Sequence, residues 1–136
     1  MAEFDIKRYK ILLIDDEWFI RTTIRQILLQ IGFGNNVYEA SDAQTGMSET
    51  LRIQPSLVLC DIHMPGGEDG LAYLGRLRKA PLPDVAATPV VMLTSDRSSE
   101  AVLTAKELGI DGYLVKPVSV ATVKRAVERA LKITLP

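Results

Sequence analysis

The sequence predicts an α/β fold, a parallel sheet covered by helices on both faces, and three observations lead there. Five short apolar runs alternate with five amphipathic stretches along the whole chain, the pattern of repeated strand-helix units. The runs are mostly continuous rather than alternating, as strands buried on both sides require. At 136 residues the chain suits one domain, 1–136 with its core over about 9–133, long enough to bury a real interior.

The strands read as 10–14, 37–40, 57–60, 90–93 and 112–115, each too short for a buried helix. A first helix over 17–31 aligns Ile20, Ile24, Ile27, Leu28 and Ile31 on one stripe and stops at Gly32, which tolerates a left-handed end conformation. Ser41 with Gln44 has the form of a capping box. It would open a second helix whose Ala43, Met47 and Leu51 share a face, with Gly46 weakening it. A third helix after Gly70 aligns Leu71, Leu74 and Leu77, and a fourth over 99–108 closes at Gly109. The fifth starts at Ser119 and turns Val123, Val127, Ala130 and Leu131 inward. Residues 80–89 carry Pro81, Pro83 and Pro89, so they read as a surface loop, a tolerated insertion.

Composition narrows the function. Hydrophobic residues at 47% and charged residues at 24% are ordinary for a globular protein, and a net charge of −1 gives no field to draw nucleic acid or an anionic membrane. One cysteine, Cys60, excludes an internal disulfide, and with one histidine it cannot build the usual zinc sets. The first ten residues contain no signal-peptide core and no apolar run reaches membrane-spanning length, so a cytoplasmic protein is expected.

Ligands of open parallel sheets bind beyond the carboxyl ends of the strands. There the chain places Asp15, Asp16 and Glu17 after the first strand, Asp61 after the third, Thr94 and Ser95 after the fourth, and Lys116 and Pro117 after the fifth. If strands one and three are neighbours, roughly 5 Å apart, Asp15, Asp16 and Asp61 share one pocket. Like charges at about 4 Å repel by about 1 kcal/mol in water and about 4 at an effective dielectric near 20, so such a cluster calls for a cation. All-oxygen ligation suits Mg²⁺. A carboxylate is also a competent nucleophile toward phosphorus, with Mg²⁺ and Lys116 available to offset charge on the transferring oxygens.

With Ile14-Asp15-Asp16-Glu17, then Asp61-Ile62-His63-Met64-Pro65-Gly66, then Thr94-Ser95, Tyr113 and Lys116-Pro117 in this order, the chain resembles the receiver domains of bacterial two-component response regulators. The likeness is to the chemotaxis-regulator type and spans nearly the whole length. It implies a flavodoxin-like sheet of strand order 2-1-3-4-5. It implies that Asp61 accepts a phosphoryl group from a histidine kinase or histidine phosphotransfer protein. Asp15 and Asp16 would hold Mg²⁺ directly or through water, with Asp61 and the His63 backbone carbonyl as further ligands. Lys116 would pair with the phosphoryl group, Thr94 would hydrogen-bond it with Ser95 beside it, and Tyr113 would swing inward as Thr94 moves. The Lys116-Pro117 bond would be cis. The output would be a shift of the face formed by the fourth helix, fifth strand and fifth helix, with a phosphorylation-dependent homodimer among the forms it can take. Neither nucleic acid nor membrane is a direct partner. The protein would assist its own loading and unloading without turning over an external substrate. No output domain lies within the 136 residues, so the reading is of a receiver acting alone or as part of a longer chain.

Competing readings stand beside this one. Asp15-Asp16-Glu17 could cap a helix, Tyr113 could be a plain strand aromatic, His63 a solvated loop residue, and Cys60 a small apolar core side chain. His63 and Asp96 could instead flank the route of water to the phosphorus and tune the lifetime of the phosphoryl group. Trp18, Arg25 and Leu29 fall on the side of the first helix away from its apolar stripe and offer a docking face for a kinase or phosphotransfer partner. A degenerate receiver used as a scaffold is one alternative function. An aspartyl-phosphate phosphohydrolase is another, although it wants a carboxylate two positions beyond the nucleophile, where His63 stands. A flavin or mononucleotide binder wants phosphate-cradling glycines where Asp15-Asp16-Glu17 stand.

Overall fold

The computed structural model describes residues 8–64, 69–95 and 99–136. Runs of Val, Ile and Leu pack well on a pleated surface, and they form β1 (Ile11–Ile14), β2 (Val37–Ala40), β3 (Leu57–Asp61), β4 (Val90–Thr94) and β5 (Gly112–Val115). All pair in parallel, in the order β2-β1-β3-β4-β5. This is the expected flavodoxin-like sheet, and its helices lie on both faces. They are α1 (Trp18–Ile31), α2 (Ala43–Ile53), α3 (Gly70–Arg78), α4 (Pro83–Ala86), α5 (Glu100–Leu108) and α6 (Val120–Leu131). The expected fourth and fifth helices are thus α5 and α6.

Successive strand residues point to opposite faces, which divides the interior in two. Leu12, Ile14, Val58, Cys60, Val90 and Met92 meet the buried sides of α2, α3 and α5, while Ile11, Leu13, Leu57, Leu59, Val91 and Leu93 meet those of α1 and α6. Burial pushes the Cys60 thiol well above its ordinary pKa, so it behaves as the small core side chain anticipated. The α1 stripe buries Ile24, Ile27 and Leu28 and ends at Gly32, whose φ of 125° favours glycine.

Two expectations about α2 are corrected. Its N-cap is Asp42, which accepts from the Thr45 amide at 2.7 Å, one residue later than the Ser41–Gln44 box. Its buried side is Ala43, Gly46, Thr50 and Ile53, while Leu51 is 55% exposed. The reason is Gly46, where a Cβ would stand 2.6 Å from Ile14 Cδ1. The missing side chain lets α2 seat closest to the sheet along that line, which rotates Leu51 outward. Thr50, buried as a result, bonds the Gly46 carbonyl and the Tyr73 hydroxyl, each at 2.7 Å.

Residues 80–89 are also more than a loop. Pro83 begins the single turn α4, a position where its missing N–H costs nothing, and Val85 and Thr88 are buried. Arg78 fastens the segment. Its guanidinium donates to the carbonyls of Ala86 at 2.8 Å, Thr88 at 2.7 Å, and Gly109 at 2.9 and 2.7 Å, and it faces Asp111 at 3.9 Å. Asp111 in turn accepts from the Val90 amide at 2.8 Å, at the head of β4. Among the described residues no helix is long and apolar enough to cross a membrane.

Arg78→Ala should therefore lower stability by about 1–3 kcal/mol in urea unfolding, since two part-buried carbonyls and the Gly109 carbonyl lose a charged donor. Arg78→Lys should recover only part of the loss, because an ammonium cannot span the same fork of acceptors. A loss below about 0.5 kcal/mol, the level of a neutral surface change, would return 80–89 to the status of a tolerated insertion.

Candidate functional site

The parallel register places the acidic residues. Ile14 of β1 pairs with Cys60 of β3, so Asp15 and Asp61 follow at the same level on adjacent strands. Both fall on the α1/α6 side of the sheet, two positions beyond Leu13 and Leu59. Carboxylate oxygens of Asp15, Asp16, Glu17 and Asp61 all lie within 4.8 Å of one another, the first and last buried and the middle two exposed. From the far side of β4, Lys116 reaches in at the end of β5. Its Nζ stands 3.2 Å from Asp15 Oδ2, 3.3 Å from Asp61 Oδ2 and 3.7 Å from Glu17 Oε1. The Lys116–Pro117 peptide bond is cis.

Backbone amides complete the first layer. Glu17 N donates to Asp15 Oδ1 at 2.9 Å, a tight turn just before α1, while Glu17, at the N-cap position, makes no side-chain cap bond, so the acidic run does not cap the helix. His63 N donates to Asp61 Oδ1 at 3.2 Å, while its imidazole is exposed. Burial, together with the charge of Asp15, pushes the Asp61 carboxyl up to about 6, against the opposing pull of Lys116. Burial acts to lower Lys116, but Asp61 and Asp15 outweigh it and hold the ammonium above its ordinary pKa. One lysine thus leaves the cluster short of positive charge. An oxygen-only donor set, part buried and part open, is what Mg²⁺ prefers, and the residues present fit that ion.

The remaining expected residues lie around this centre. Thr94 is buried at the end of β4 and Ser95 is exposed just beyond. Tyr113 is not in the carboxylate cluster; it is half-buried against the α2/α3/α5 core, with the Lys106 ammonium 5.3 Å from its ring centroid. On α1, Trp18 is 68% and Leu29 54% exposed. The Arg25 guanidinium, by contrast, is engaged within the chain by Glu39 at 2.7 Å and the Val37 carbonyl at 2.8 Å. Pro65, Gly66 and Asp96 lie outside the described residues.

Two residues without an assigned role in the sequence reading border the site. A Cβ on Gly70 would meet the Asp61 carbonyl oxygen at 2.1 Å, so only glycine lets α3 begin directly over the strand end that carries Asp61. A glycine opening a helix, where propensity disfavours it, was the available signal. Arg21 donates to the Asp15 carbonyl, a contact that depends on where β2 lies and leaves no mark in the local sequence.

The model of the response regulator receiver domain matches residues 11–128. The chain belongs to the receiver-domain family of response regulators. It is 32% identical over 123 residues to the chemotaxis protein CheY-3 of Vibrio cholerae, covering 90% of this chain and 92% of that one. To the nitrate/nitrite response regulator NarL of Escherichia coli it is 33% identical over 120 residues, covering 88% of this chain and 53% of that longer protein. In three dimensions it is similar to the receiver domain of NtrX from Brucella abortus, with a TM-score of 0.80, 31% identity, and coverage of 90% and 98%. The chemotaxis protein CheY4 of Vibrio cholerae gives a TM-score of 0.81 at 27% identity, with the same coverages. The expected receiver family and the 2-1-3-4-5 sheet therefore stand, and the chain is a response regulator receiver domain of two-component signalling.

Folding raises the proton affinity of Asp61 in this receiver, so its ionised form opposes folding fully above about pH 6. The penalty fades as pH falls toward the value near 4 of an unfolded aspartate. In metal-free buffer with chelator, Asp61→Asn should be the more stable protein at about pH 7.5. The expected gain is on the order of 1–2 kcal/mol, less than the ~3 that two pKa units represent, because Lys116 loses a partner. Most of the gain should be gone by about pH 4.5. A gain of equal size at both pH values, or a loss at the higher one, would contradict this account of the pocket.

Proposed function

We propose that this receiver accepts a phosphoryl group on Asp61 from a phosphohistidine donor. The observation that carries the reading is the buried Asp61 carboxylate, 3.3 Å from a lysine that it shares with Asp15. Mg²⁺ bound by Asp15, Asp16, Asp61 and the His63 carbonyl would supply positive charge to the phosphoryl oxygens as they transfer. A carboxylate oxygen of Asp61 forms the new bond to phosphorus as the donor's P–N bond breaks, and the imidazole leaves with the bonding pair. Lys116, already held at the pocket, pairs with a phosphoryl oxygen and keeps Asp61 oriented by its second contact to Asp15. The Thr94 hydroxyl bonds another oxygen, Ser95 flanks it, and Tyr113 turns inward beside Thr94. The chain assists this one transfer and its reversal by water, and turns over no separate substrate.

The face of α5, β5 and α6 would read the change. It carries a groove of about 690 Å³ with Tyr113, Lys106 and Lys116 in its lining, so a shift of Lys116 toward a phosphoryl group and of Tyr113 inward alters the groove directly. Incubation with acetyl phosphate and Mg²⁺ should give a stoichiometric, base-labile adduct by mass, absent in Asp61→Asn and suppressed by chelator. Amide shifts along α5, β5 and α6 should accompany it. A protein that forms no adduct would be a scaffold, sustained hydrolysis of phosphate esters would make it a phosphohydrolase, and shifts confined to the neighbourhood of Asp61 would reject the output face.

The donor would dock on the start of α1. Trp18 and Phe19 are 68% and 52% exposed, and Phe19 lines an apolar recess of about 150 Å³ together with Ile20, Thr23, Lys116, Pro117 and Val118. Two exposed aromatics in succession, one of them lining a recess that shares Lys116 with the acceptor, have the character of interface anchors. Trp18→Ala should slow phosphoryl transfer from a histidine kinase or phosphotransfer protein by about tenfold, while loading from acetyl phosphate stays at the native rate. Equal donor-dependent rates in the two proteins would dismiss the docking role.

A further inference from the structure

We propose that Arg21 is a positioning residue for the acidic loop: its guanidinium grips the Asp15 carbonyl and the Glu39 carboxylate together, and so sets the affinity of the cluster for a divalent cation. The inference rests on the Mg²⁺-dependent reading above and adds to it a residue outside the cluster.

Three observations support it. Arg21 Nη1 donates to the Asp15 carbonyl oxygen at 2.5 Å and Nε donates to Glu39 Oε1 at 2.8 Å, with the side chain only 17% exposed. Its rigid fork therefore spans two fixed acceptors. Glu39 is anchored in turn, since it sits in β2 in register with Leu13 and is held by Arg25 Nε at 2.7 Å. Finally, the Asp15 amide donates to the Ala40 carbonyl at 3.1 Å. The backbone of Asp15 is thus tied to β2 at its N–H directly and at its C=O through Arg21. The plane of the peptide joining Asp15 to Asp16 is fixed, and with it the direction in which the exposed Asp16 carboxylate enters the cluster.

Charge bears on the sign of the effect. A bare guanidinium at this distance would repel a cation; the Glu39 carboxylate, shared by Arg21 and Arg25, offsets one of their two positive charges, and the two arginines outweigh burial to hold it below its ordinary pKa. The Arg21–Glu39–Arg25 group thus keeps one positive charge beside the two-acceptor hold that Arg21 has on the loop backbone. Loss of orientation weakens cation binding, whereas loss of an uncompensated positive charge would strengthen it. The two roles are separated by the direction of change.

The test titrates the whole protein with MgCl₂ and follows the emission of Trp18, the single tryptophan, two residues from Asp16. Mn²⁺ binding by electron spin resonance gives a second reading of the same site. Arg21→Ala should raise the Kd about three- to tenfold, toward the range that loss of outer ligand-orienting bonds produces. Arg21→Lys should stay well above the native Kd, because one ammonium cannot reproduce the two-acceptor fork. Loading by acetyl phosphate should be slow in Arg21→Ala at limiting Mg²⁺ and return to the native rate at saturation. An unchanged Kd with a lowered Tm would make Arg21 merely structural and overturn the inference, as would a lowered Kd or full recovery by lysine. If the unaltered protein bound no Mg²⁺, the proposed function would fall, and this inference with it.

Discussion

Three strand ends deliver Asp15, Asp61 and Lys116 to one place, and the shared ammonium between two buried carboxylates is the interaction on which the rest of the molecule depends. Two ionised carboxylates on neighbouring strands of a covered sheet oppose folding, because burial removes solvent screening and each raises the other's free energy. Lys116 offsets part of that cost from 3.2 and 3.3 Å. The residual shows in the Asp61 carboxyl, still pushed up to about 6. A pocket under-supplied with positive charge is poor for stability and well suited to capturing a cation and an electron-poor phosphorus.

The surroundings hold that strained arrangement in place. Gly70 lets α3 start against the Asp61 carbonyl, the His63 amide takes one Asp61 oxygen, and the Glu17 amide takes one from Asp15. Arg21 ties the next peptide to β2 through Glu39. At the opposite end of the sheet the charges are opposite and face one another, Arg78 against Asp111. There Arg78 satisfies three carbonyls, those of Ala86 and Thr88 before β4 and of Gly109 before β5, and closes the fold around α4. Stability and chemistry are therefore separated along the strand direction, as open parallel sheets allow.

Much of this was legible in the residues because the patterns are local. Continuous apolar runs require strands covered on both faces, and all five strands formed within a residue of their expected bounds. Gly32, Gly109 and Ser119 marked helix ends by their own conformational or hydrogen-bonding preferences. Where the reading missed, the deciding contact was not local. The buried side of α2 turned on the fit of Gly46 against Ile14, and the order of residues 80–89 turned on Arg78, whose acceptors lie up to 31 positions away.

The sequence by itself determined that acidic, hydroxyl and lysine side chains would stand at the carboxyl ends of strands, since each follows its own apolar run by one or two residues. Membership of the receiver family was readable from that ordered set. Only the tertiary structure decided which oxygens share Lys116, that Glu17 joins the cluster while Tyr113 packs apart from it, and that Arg25 is already engaged while Trp18 faces outward. The physical reason is that strand order and register are collective outcomes of burying both faces of the sheet. Distances between side chains on different strands follow from them and from nothing nearer in the chain.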